Sequence, residues 1–270
     1  MPRKLFCEIS PLTYKISAQK CIIMRDIKDI PLLNKFAREK SCDKLEFLIC
    51  GHNSLIRRRL GNVDMTLQEN KATNLAIAAP KINNIIIKPG EIFSFWHLVG
   101  SCTEGKGYKA GMTIARGGVS KDIGGGMCQF TNLIHWMVLH TDMKIIEHHH
   151  HDQFDLFPDF NRQIPFGTGT SILYNYLDYR FLNDTEAVYQ LITYTNGEYL
   201  CGEMRCERQQ EFKYHIKVRD EYFSKEPDGT YRNGKVYRTK IDRATGNTVN
   251  EELIKVNHAR VMYEIDINKK

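Results

Sequence analysis

The chain has no long apolar run. Its 270 residues contain no stretch of the roughly 18 to 20 apolar residues that a membrane-spanning helix requires. Residues 1–24 also lack the continuous apolar centre of a secretory signal, because Glu8, Lys15 and Lys20 interrupt it. The sequence therefore predicts a soluble protein that stays in the cytoplasm. A peripheral position at the inner face of the membrane is left open.

A strong overall charge is also missing, since the formal net charge is +6 and its distribution is uneven. Residues 1–63 carry 13 basic and 6 acidic side chains, residues 64–206 carry 11 and 15, and residues 207–270 carry 14 and 11. The acidic middle and the lack of a basic–aromatic pattern argue against nucleic-acid binding. The basic first part, densest at Arg57-Arg58-Arg59, fits a solvated surface better than attraction to anionic lipid, which stays an alternative.

The eight cysteines form no recognisable framework. Without a secretory signal, we expect reduced thiols rather than disulfides. Cys201 and Cys206 have no second pair at the spacing of a zinc site, so we interpret them as core or edge residues. The sequence predicts no metal and no cofactor.

One cysteine stands in a different setting, the glycine loop Gly124-Gly125-Gly126-Met127-Cys128-Gln129, which precedes a helix-like apolar segment at 130–140. Glycines permit left-handed backbone angles and close approach. The N-terminal end of a helix favours a thiolate over a thiol. We therefore predict that Cys128 is a nucleophile and that the loop, through Gly124, Gly125, Gly126 and Gln129, stabilises an oxyanion with backbone N–H groups. The alternative is a tight turn before a buried structural cysteine.

Histidines and a carboxylate follow the cysteine in the chain. A strand-like run, Lys144 to Glu147, leads into His148-His149-His150-His151. In a strand His149 and His151 would share one face, and His148 and His150 the other. Asp178 lies in a second strand-like run, 171–182. The order Cys, His, Asp suits a thiol nucleophile with a base and an orienting carboxylate. The alternatives to this catalytic group are that the histidines form a polar surface cluster, that they form a weak transition-metal site, or that the three residue types occur together by chance.

Several blocks between about residues 64 and 206 resemble the VanW-like family. They are Gln68-Glu69-Asn70-Lys71 with Asn74-Leu75 and Ala78-Ala79, then IKPGEIFSFW at 87–96, Gly107-Tyr108, the glycine loop, Glu147 with His149 and His151, and Asp178 with Phe181 and Asn183. Several blocks together are more specific than one. The resemblance implies a link to bacterial cell-wall precursors or glycopeptide resistance and supplies no mechanism. Other members often carry Arg, Pro or Gly at the positions of His148 and His150, which favours His151 as the base, with His149 second.

The predicted fold is α+β: a mixed unit of helices and antiparallel sheet that carries the helix-start cysteine, followed by an appended C-terminal β-hairpin or meander. We divide the chain into a basic N-terminal extension (1–63), the VanW-like domain (64–206) and a β-rich C-terminal extension (207–270). The predicted elements are helices at 26–40 and 66–84, a strand at 92–95, a loop-rich lid or hairpin at 101–122, a strand at 171–182, a hairpin at 188–205 with its turn at Asn196-Gly197, and turns at Asp228-Gly229, Asn233-Gly234 and Gly246.

Two functions from different classes fit these features. The first is a cysteine-dependent amidase, peptidase or acyl transferase that acts on a cell-wall precursor or its peptide, with Cys128 as nucleophile, His151 or His149 as base and Asp178 orienting the base. The second is a non-catalytic accessory protein that binds a precursor or a resistance enzyme, with the glycine loop as a binding turn.

Overall fold

The computed structural model describes residues 5–58, 64–115, 118–150, 154–156 and 164–264. Within these ranges the α-helices are α1 (Pro11–Asp29), α2 (Met65–Ile82), α3 (Phe95–Val99) and α4 (Met127–Val138). The strands are β1 (Phe47–Leu55), β2 (Ile85–Ile87), β3 (Ile92–Ser94), β4 (Ala110–Ala115), β5 (Gly118–Ile123), β6 (Lys144–Glu147), β7 (Phe154–Asp155), β8 (Arg180–Leu182), β9 (Tyr189–Thr195), β10 (Tyr199–Cys206), β11 (Phe212–Glu226), β12 (Gly229–Asp242) and β13 (Thr248–Val261). The α+β class is confirmed. No helix in the described ranges is long and apolar enough to cross a membrane.

The central sheet has the strand order β1-β10-β9-β2 and is antiparallel throughout. Helix α2 places a stripe of buried apolar residues against it, among them Leu75, Ala78 and Ile82. Helix α4 approaches β10 at Gly202, where a Cβ atom would come 2.6 Å from Met137 Cε. The two helices therefore share one apolar core with the sheet, and the glycine allows α4 to pack closely.

A smaller sheet, of order β3-β8-β6, places the histidine run and Asp178 beside this core. Its interior contains the stacked pair Phe93 and Phe181, whose ring centroids are 4.7 Å apart. Strand β6 ends at Glu147, so the predicted strand stops before the histidines. The aromatic residues of β3 and α3 are core residues, since Phe93, Phe95 and Trp96 are all buried.

The predicted loop-rich stretch forms the antiparallel hairpin of β4 and β5, whose residues 116 and 117 lie outside the described ranges. The hairpin contacts the glycine loop through backbone alone, because a Cβ on Gly111 would lie 2.6 Å from the Gly125 carbonyl oxygen. Of the two alternatives for this stretch, hairpin or lid, the hairpin is confirmed.

The C-terminal sheet runs β11-β12-β13, and β7 pairs with β13 in parallel. The predicted meander is confirmed, with turns at Asp228-Gly229 and near Gly246. The predicted turn at Asn233-Gly234 is wrong, because both residues lie within β12. Arg238 connects this sheet to the end of α4, where its Nε donates to the Leu139 carbonyl at 2.8 Å. The three-part division stays a prediction, although β1 of the N-terminal part pairs with β10.

Two predicted elements are misplaced. The first helix spans Pro11–Asp29 and not 26–40, because Ser10 caps it by accepting from the Thr13 N–H, and a 3-10 turn with Pro31 ends it. The strand predicted over 171–182 is only Arg180–Leu182. The preceding residues turn at Asn175, which has φ 59° in the left-handed region that asparagine tolerates.

Candidate functional site

Cys128 lies where the sequence predicts it, at the start of a helix. Helix α4 begins at Met127, and Gly126 caps it with φ 106°, a left-handed angle that favours glycine. Cys128 is therefore the second residue of the helix, within the first turn, where N–H groups have no intrahelical acceptor.

The three glycines of the loop allow neighbours to approach. A Cβ on Gly124 would come 2.4 Å from Cys102 Cβ, and a Cβ on Gly126 would come 2.3 Å from Lys71 Cγ. Asn74 fixes the loop from α2, since its Nδ2 donates to the carbonyls of Gly125 and Lys109, both at 2.9 Å. Any side chain added in the loop would displace one of these neighbours.

The thiol of Cys128 does not ionise easily. Its side chain packs against the core and is half-buried, and burial raises the pKa of the Cys128 thiol. The backbone at Ile172 and at Cys128 itself favours the thiolate and lowers the pKa by less. The helix N-terminus was expected to favour the thiolate, but in this protein desolvation outweighs it.

Residues 168–172, which we call the bridging segment, connect the cysteine to the histidine run. Thr170 is anchored to α4 through its N–H, which donates to Asn132 Oδ1 at 2.6 Å, and its hydroxyl also reaches the Cys128 carbonyl at 3.4 Å. The Ser171 N–H donates to the His149 carbonyl at 2.7 Å. The backbone of Ile172, the next residue, is one of the groups that lower the pKa of the Cys128 thiol. Adjacent residues of one segment, Thr170 and Ser171, therefore bind the backbones of Cys128 and His149.

The carboxylate that contacts His149 is Glu147. His149 Nε2 lies 3.0 Å from Glu147 Oε1, and the same oxygen accepts from the Asp178 N–H at 2.8 Å. Arg25 of α1 holds Glu147 with two hydrogen bonds of 2.6 Å each. Glu147 is thus a fixed, ionised acceptor that can orient the His149 ring. Sequence reasoning assigned this role to Asp178, because the partner Arg25 lies far away in the chain.

Asp178 is fully buried in a different network. Its oxygens accept from Ser94 Oγ at 2.5 Å, from the Trp96 N–H at 3.0 Å and from Arg180 Nε at 2.7 Å. Burial raises the pKa of Asp178, and Arg180 opposes this shift. Arg180 also binds Asp29 at the end of α1, with NH1 to Oδ1 at 2.7 Å. These contacts hold α3 and α1 against β8. A role for Asp178 in orienting His151 stays a prediction, because His151 lies outside the described residues.

The rings of His135, His148 and His150 pack together in one group. The His148 ring lies 4.1 Å from His135 and 3.9 Å from His150 between centroids. Burial and the neighbouring His150 lower the pKa of His148 to about 3, so the ring is neutral at physiological pH. Among the described residues no group of three His, Cys, Asp or Glu side chains is arranged to hold a metal ion.

Several predicted oxyanion donors are already used. The Gly124 N–H donates to the Lys109 carbonyl at 3.0 Å, the Gly125 N–H to the Asp122 carbonyl at 3.1 Å, and the Gln129 N–H to the Gly126 carbonyl at 3.0 Å. The Gln129 side chain donates to Ser54 Oγ at 2.8 Å. The loop therefore contributes to an oxyanion site mainly through the N–H groups of residues 126–128.

Sequence reasoning missed Lys71, whose side chain lies against the N-cap of α4. Lys71 is 4% exposed, and it shares the buried face of α2 with Gln68, Leu75 and Ile82. The sequence shows this spacing, because Lys71 lies four positions before the apolar residue Leu75. Residues four apart share one face of a helix, so Lys71 lies on the apolar face and points inward.

Comparison with known proteins identifies related chains. A family model described as VanW like protein matches residues 70–205. The Vancomycin B-type resistance protein VanW of Enterococcus faecalis is 35% identical over 202 residues, which span 75% of this chain and 73% of that protein. The uncharacterized protein YoaR of Bacillus subtilis is 29% identical over 118 residues, or 43% of this chain and 36% of that protein. No solved structure matches the chain.

Proposed function

Because the chain belongs to the VanW-like family, we propose that it acts in glycopeptide (vancomycin) resistance on a cell-wall precursor or its peptide, as a cysteine-dependent amidase, peptidase or acyl transferase. The name of the Enterococcus relative supports the link to resistance. The bridging segment supports the chemistry, since its adjacent residues Thr170 and Ser171 bind the carbonyls of Cys128 and His149.

In this reaction the Cys128 sulfur attacks the carbonyl carbon of an amide, and its proton moves to the base, His151 or His149. The C–N bond breaks, and the amine leaves with that proton. Water or a second amine then attacks the thioester and restores the thiol. Glu147 holds the His149 ring through a contact of 3.0 Å between Oε1 and Nε2, as the third member of such a group does.

The raised pKa of Cys128 gives the base a specific task. A thiol with a raised pKa needs the histidine to accept its proton as the sulfur attacks an electrophile.

Iodoacetamide alkylation, measured by peptide mass spectrometry across pH, tests this proposal. Cys50 is a matched internal control, because burial alone raises the pKa of its thiol to about 11. We expect Cys128 to react faster than Cys50 at pH 8, and this advantage to disappear in His149→Ala or His151→Ala. Equal rates for the two thiols, unchanged by both substitutions, would eliminate Cys128 as a nucleophile.

A second candidate function is the non-catalytic accessory protein, which binds a precursor or a resistance enzyme. The raised pKa of Cys128 and the occupied N–H groups of Gly124, Gly125 and Gln129 favour it. Cys128→Ser separates the two candidates in a host that depends on this protein under glycopeptide challenge. A catalyst loses its effect with this substitution, whereas a binding protein retains it.

We also propose that the protein attaches weakly to an anionic lipid surface through α1. Leu12, Ile16, Ile23 and Ile27 lie on one face of α1 and are between 49% and 67% exposed. Apolar residues on one face with lysines beside them are typical of helices that lie in a membrane interface. Flotation with anionic vesicles should carry the wild type and leave Ile16→Glu/Ile23→Glu behind. Equal recovery of both proteins would exclude the attachment.

A further inference from the structure

The buried face of α2 carries two side chains, Gln68 and Lys71, whose N–H groups have no acceptor among the described residues. Gln68 is 0% exposed, and its Nε2 has no hydrogen-bond partner among the described residues. Lys71, one turn further along, is 4% exposed, and the structure gives its ammonium no acceptor within the described ranges. Buried donors without acceptors are rare in native proteins and require an explanation.

Lys71 lies at the N-terminal end of α4, and Gln68 lies about one turn before it on the same buried face of α2. The Lys71 stem crosses Gly126, the N-cap of that helix, so closely that no Cβ fits there. The ammonium is only a few bonds beyond this contact. Gln68 Oε1 accepts from the Arg58 N–H at 3.4 Å, so its amide lies between α2 and the segment that follows β1. The contact with Gly126 places the Lys71 side chain at the beginning of α4.

The surroundings of Lys71 are positive. Burial, followed by Arg58 and Arg57, lowers the pKa of Lys71 to about 7. Glu69, the acid next to Gln68 in sequence, points away and pairs with Arg57, with Nε to Oε1 at 2.6 Å. No carboxylate in the described ranges forms an ion pair with the Lys71 ammonium.

Helix α4 adds its own positive end. It has 12 residues, and its first N–H groups, at Met127 and Cys128, have no backbone acceptor in the helix. Gly126, Cys128 and Arg58 are half-exposed, so a small group can approach from solvent. A helix N-terminus, a buried lysine and a buried amide N–H together supply donors and positive charge, and they supply no acceptor.

The geometry points to an anion-binding site formed by Lys71, Gln68 and the N-terminal end of α4, which takes a carboxylate or phosphate group of a small ligand. The anion supplies the acceptors that the two buried side chains lack. It also raises the affinity of Lys71 for its proton, so the lysine becomes charged as the anion binds.

This site goes beyond the proposed function, because it holds whether or not Cys128 reacts. If both are correct, Lys71 and Gln68 hold the anionic group of the ligand, and the N–H groups of residues 126–128 take the oxygen of the adjacent carbonyl that Cys128 attacks. The substrate is then an amide or peptide with a carboxylate or phosphate next to the reacting bond. Binding of that charged group positions the reacting carbonyl at the thiol.

Calorimetric titration tests the site with three probes: inorganic phosphate, a short peptide with a free C-terminal carboxylate, and the same peptide amidated. We expect saturable binding of phosphate or of the free-acid peptide and none of the amide. Lys71→Met should weaken that binding about tenfold or more, since hydrogen bonds to charged groups are the stronger class. Lys109→Met removes an exposed lysine near the loop as a matched control and should change nothing.

Preference for phosphate or for the free carboxylate identifies the source of the anion, and either result supports the site. Absence of binding by both anions, or equal binding by Lys71→Met and wild type, would overturn it. A measurement on the wild type alone guards against misfolding of the variant: acetic anhydride should label Lys71 more slowly with the anion present, and an unchanged rate would also overturn the site. Cys128→Ser keeps the anion site intact, so failure of the cysteine chemistry and failure of this inference are distinguishable.

Discussion

The described residues contain two groups of buried charges, and the groups differ in whether their charges are matched. In the paired cluster, formed by Arg25, Asp29, Glu147, Asp178 and Arg180, each carboxylate faces a guanidinium. In the cationic cluster, formed by Gln68 and Lys71 with Arg58 beside them, positive charge is concentrated without a carboxylate bound to Lys71 in the described ranges. The first arrangement holds elements together, and the second raises the free energy of the folded protein. Charge pairing thus separates a structural cluster from a ligand site.

Breaking the paired cluster should have the largest effect. Arg180→Met leaves Asp178 and Asp29 buried without their partner. We expect the free energy of unfolding to fall by roughly 3 to 5 kcal/mol, as for other buried pairs that lose one member. Urea denaturation followed by circular dichroism measures it. A loss comparable to that of a surface substitution would show that these charges are not structural.

Removing the unmatched charge should have the opposite sign. Lys71→Met should raise the free energy of unfolding by about 5 kcal/mol at pH 6, because the pKa of Lys71 in the folded protein is about 7 instead of 10.5. Between those pH values the unfolded chain holds a proton that the folded protein has released, so wild-type stability rises with pH. The stability that Lys71→Met gains over the wild type therefore becomes smaller as the pH approaches 10.5.

Denaturation of both proteins at pH 6, 8 and 10 measures this trend. Lys81→Met on the same helix is the control, since Lys81 Nζ donates to the Val99 carbonyl at 2.8 Å and should lose stability when replaced. A Lys71→Met protein that is less stable than wild type at every pH would mean that the lysine is structurally required.

The group of His135, His148 and His150 adds a third case to the comparison of matched and unmatched charges, because the His148 ring is largely buried and uncharged. The pKa of His148 is lowered from 6.5 to about 3, so the unfolded chain binds a proton there first as pH falls, and stability is lost below pH 6.5. From pH 6.5 to pH 5, the free energy of unfolding of the wild type should fall by about 2 kcal/mol more than that of His148→Asn. His215→Asn, at an exposed position, should leave the acid profile unchanged. Identical profiles for wild type and His148→Asn would contradict the neutral buried ring.

The smallest effect should come from a pair at the surface. Arg219 binds Glu251 with two hydrogen bonds of 2.7 and 2.6 Å, geometry as good as that in the paired cluster. Both side chains are largely in water, where such pairs contribute little. Arg219→Met should therefore unfold at the same urea concentration as wild type. A marked loss would show that geometry, and not burial, decides the strength of these pairs.

Much of the fold follows from local sequence signals. The Asn196-Gly197 turn and the alternating runs around it correctly predict β9 and β10. The meander is equally visible, because Gly229 and Gly246 take left-handed angles at its turns. The predicted bounds of the first helix are wrong for two reasons. Its start is marked by the cap Ser10-Pro11 and not by apolar periodicity. Many of its apolar residues face solvent, so their periodicity does not show where the helix begins and ends.

The site was harder to predict, because its key contacts join distant parts of the chain. Cys128 at a helix start follows from the glycine loop. The partner of His149 does not, since Glu147 is fixed by Arg25, 122 positions away. Asp178 is the more prominent acid in sequence, yet its oxygens are used by Ser94, Trp96 and Arg180. Which carboxylate is available to a histidine is decided by tertiary hydrogen bonds that no local pattern encodes.

The bridging segment also sets the order in which the site assembles. Helix α4 forms from local contacts, whereas Thr170 has to close chain loops of 38 and 42 residues to reach Asn132 and Cys128. Loop closure costs entropy before any contact compensates for it, and such non-local contacts form late in folding. A newly synthesised chain therefore carries Cys128 for some time without Ile172 or His149 in place. The thiol gains its complete surroundings only when folding ends, which delays any chemistry until the protein is whole.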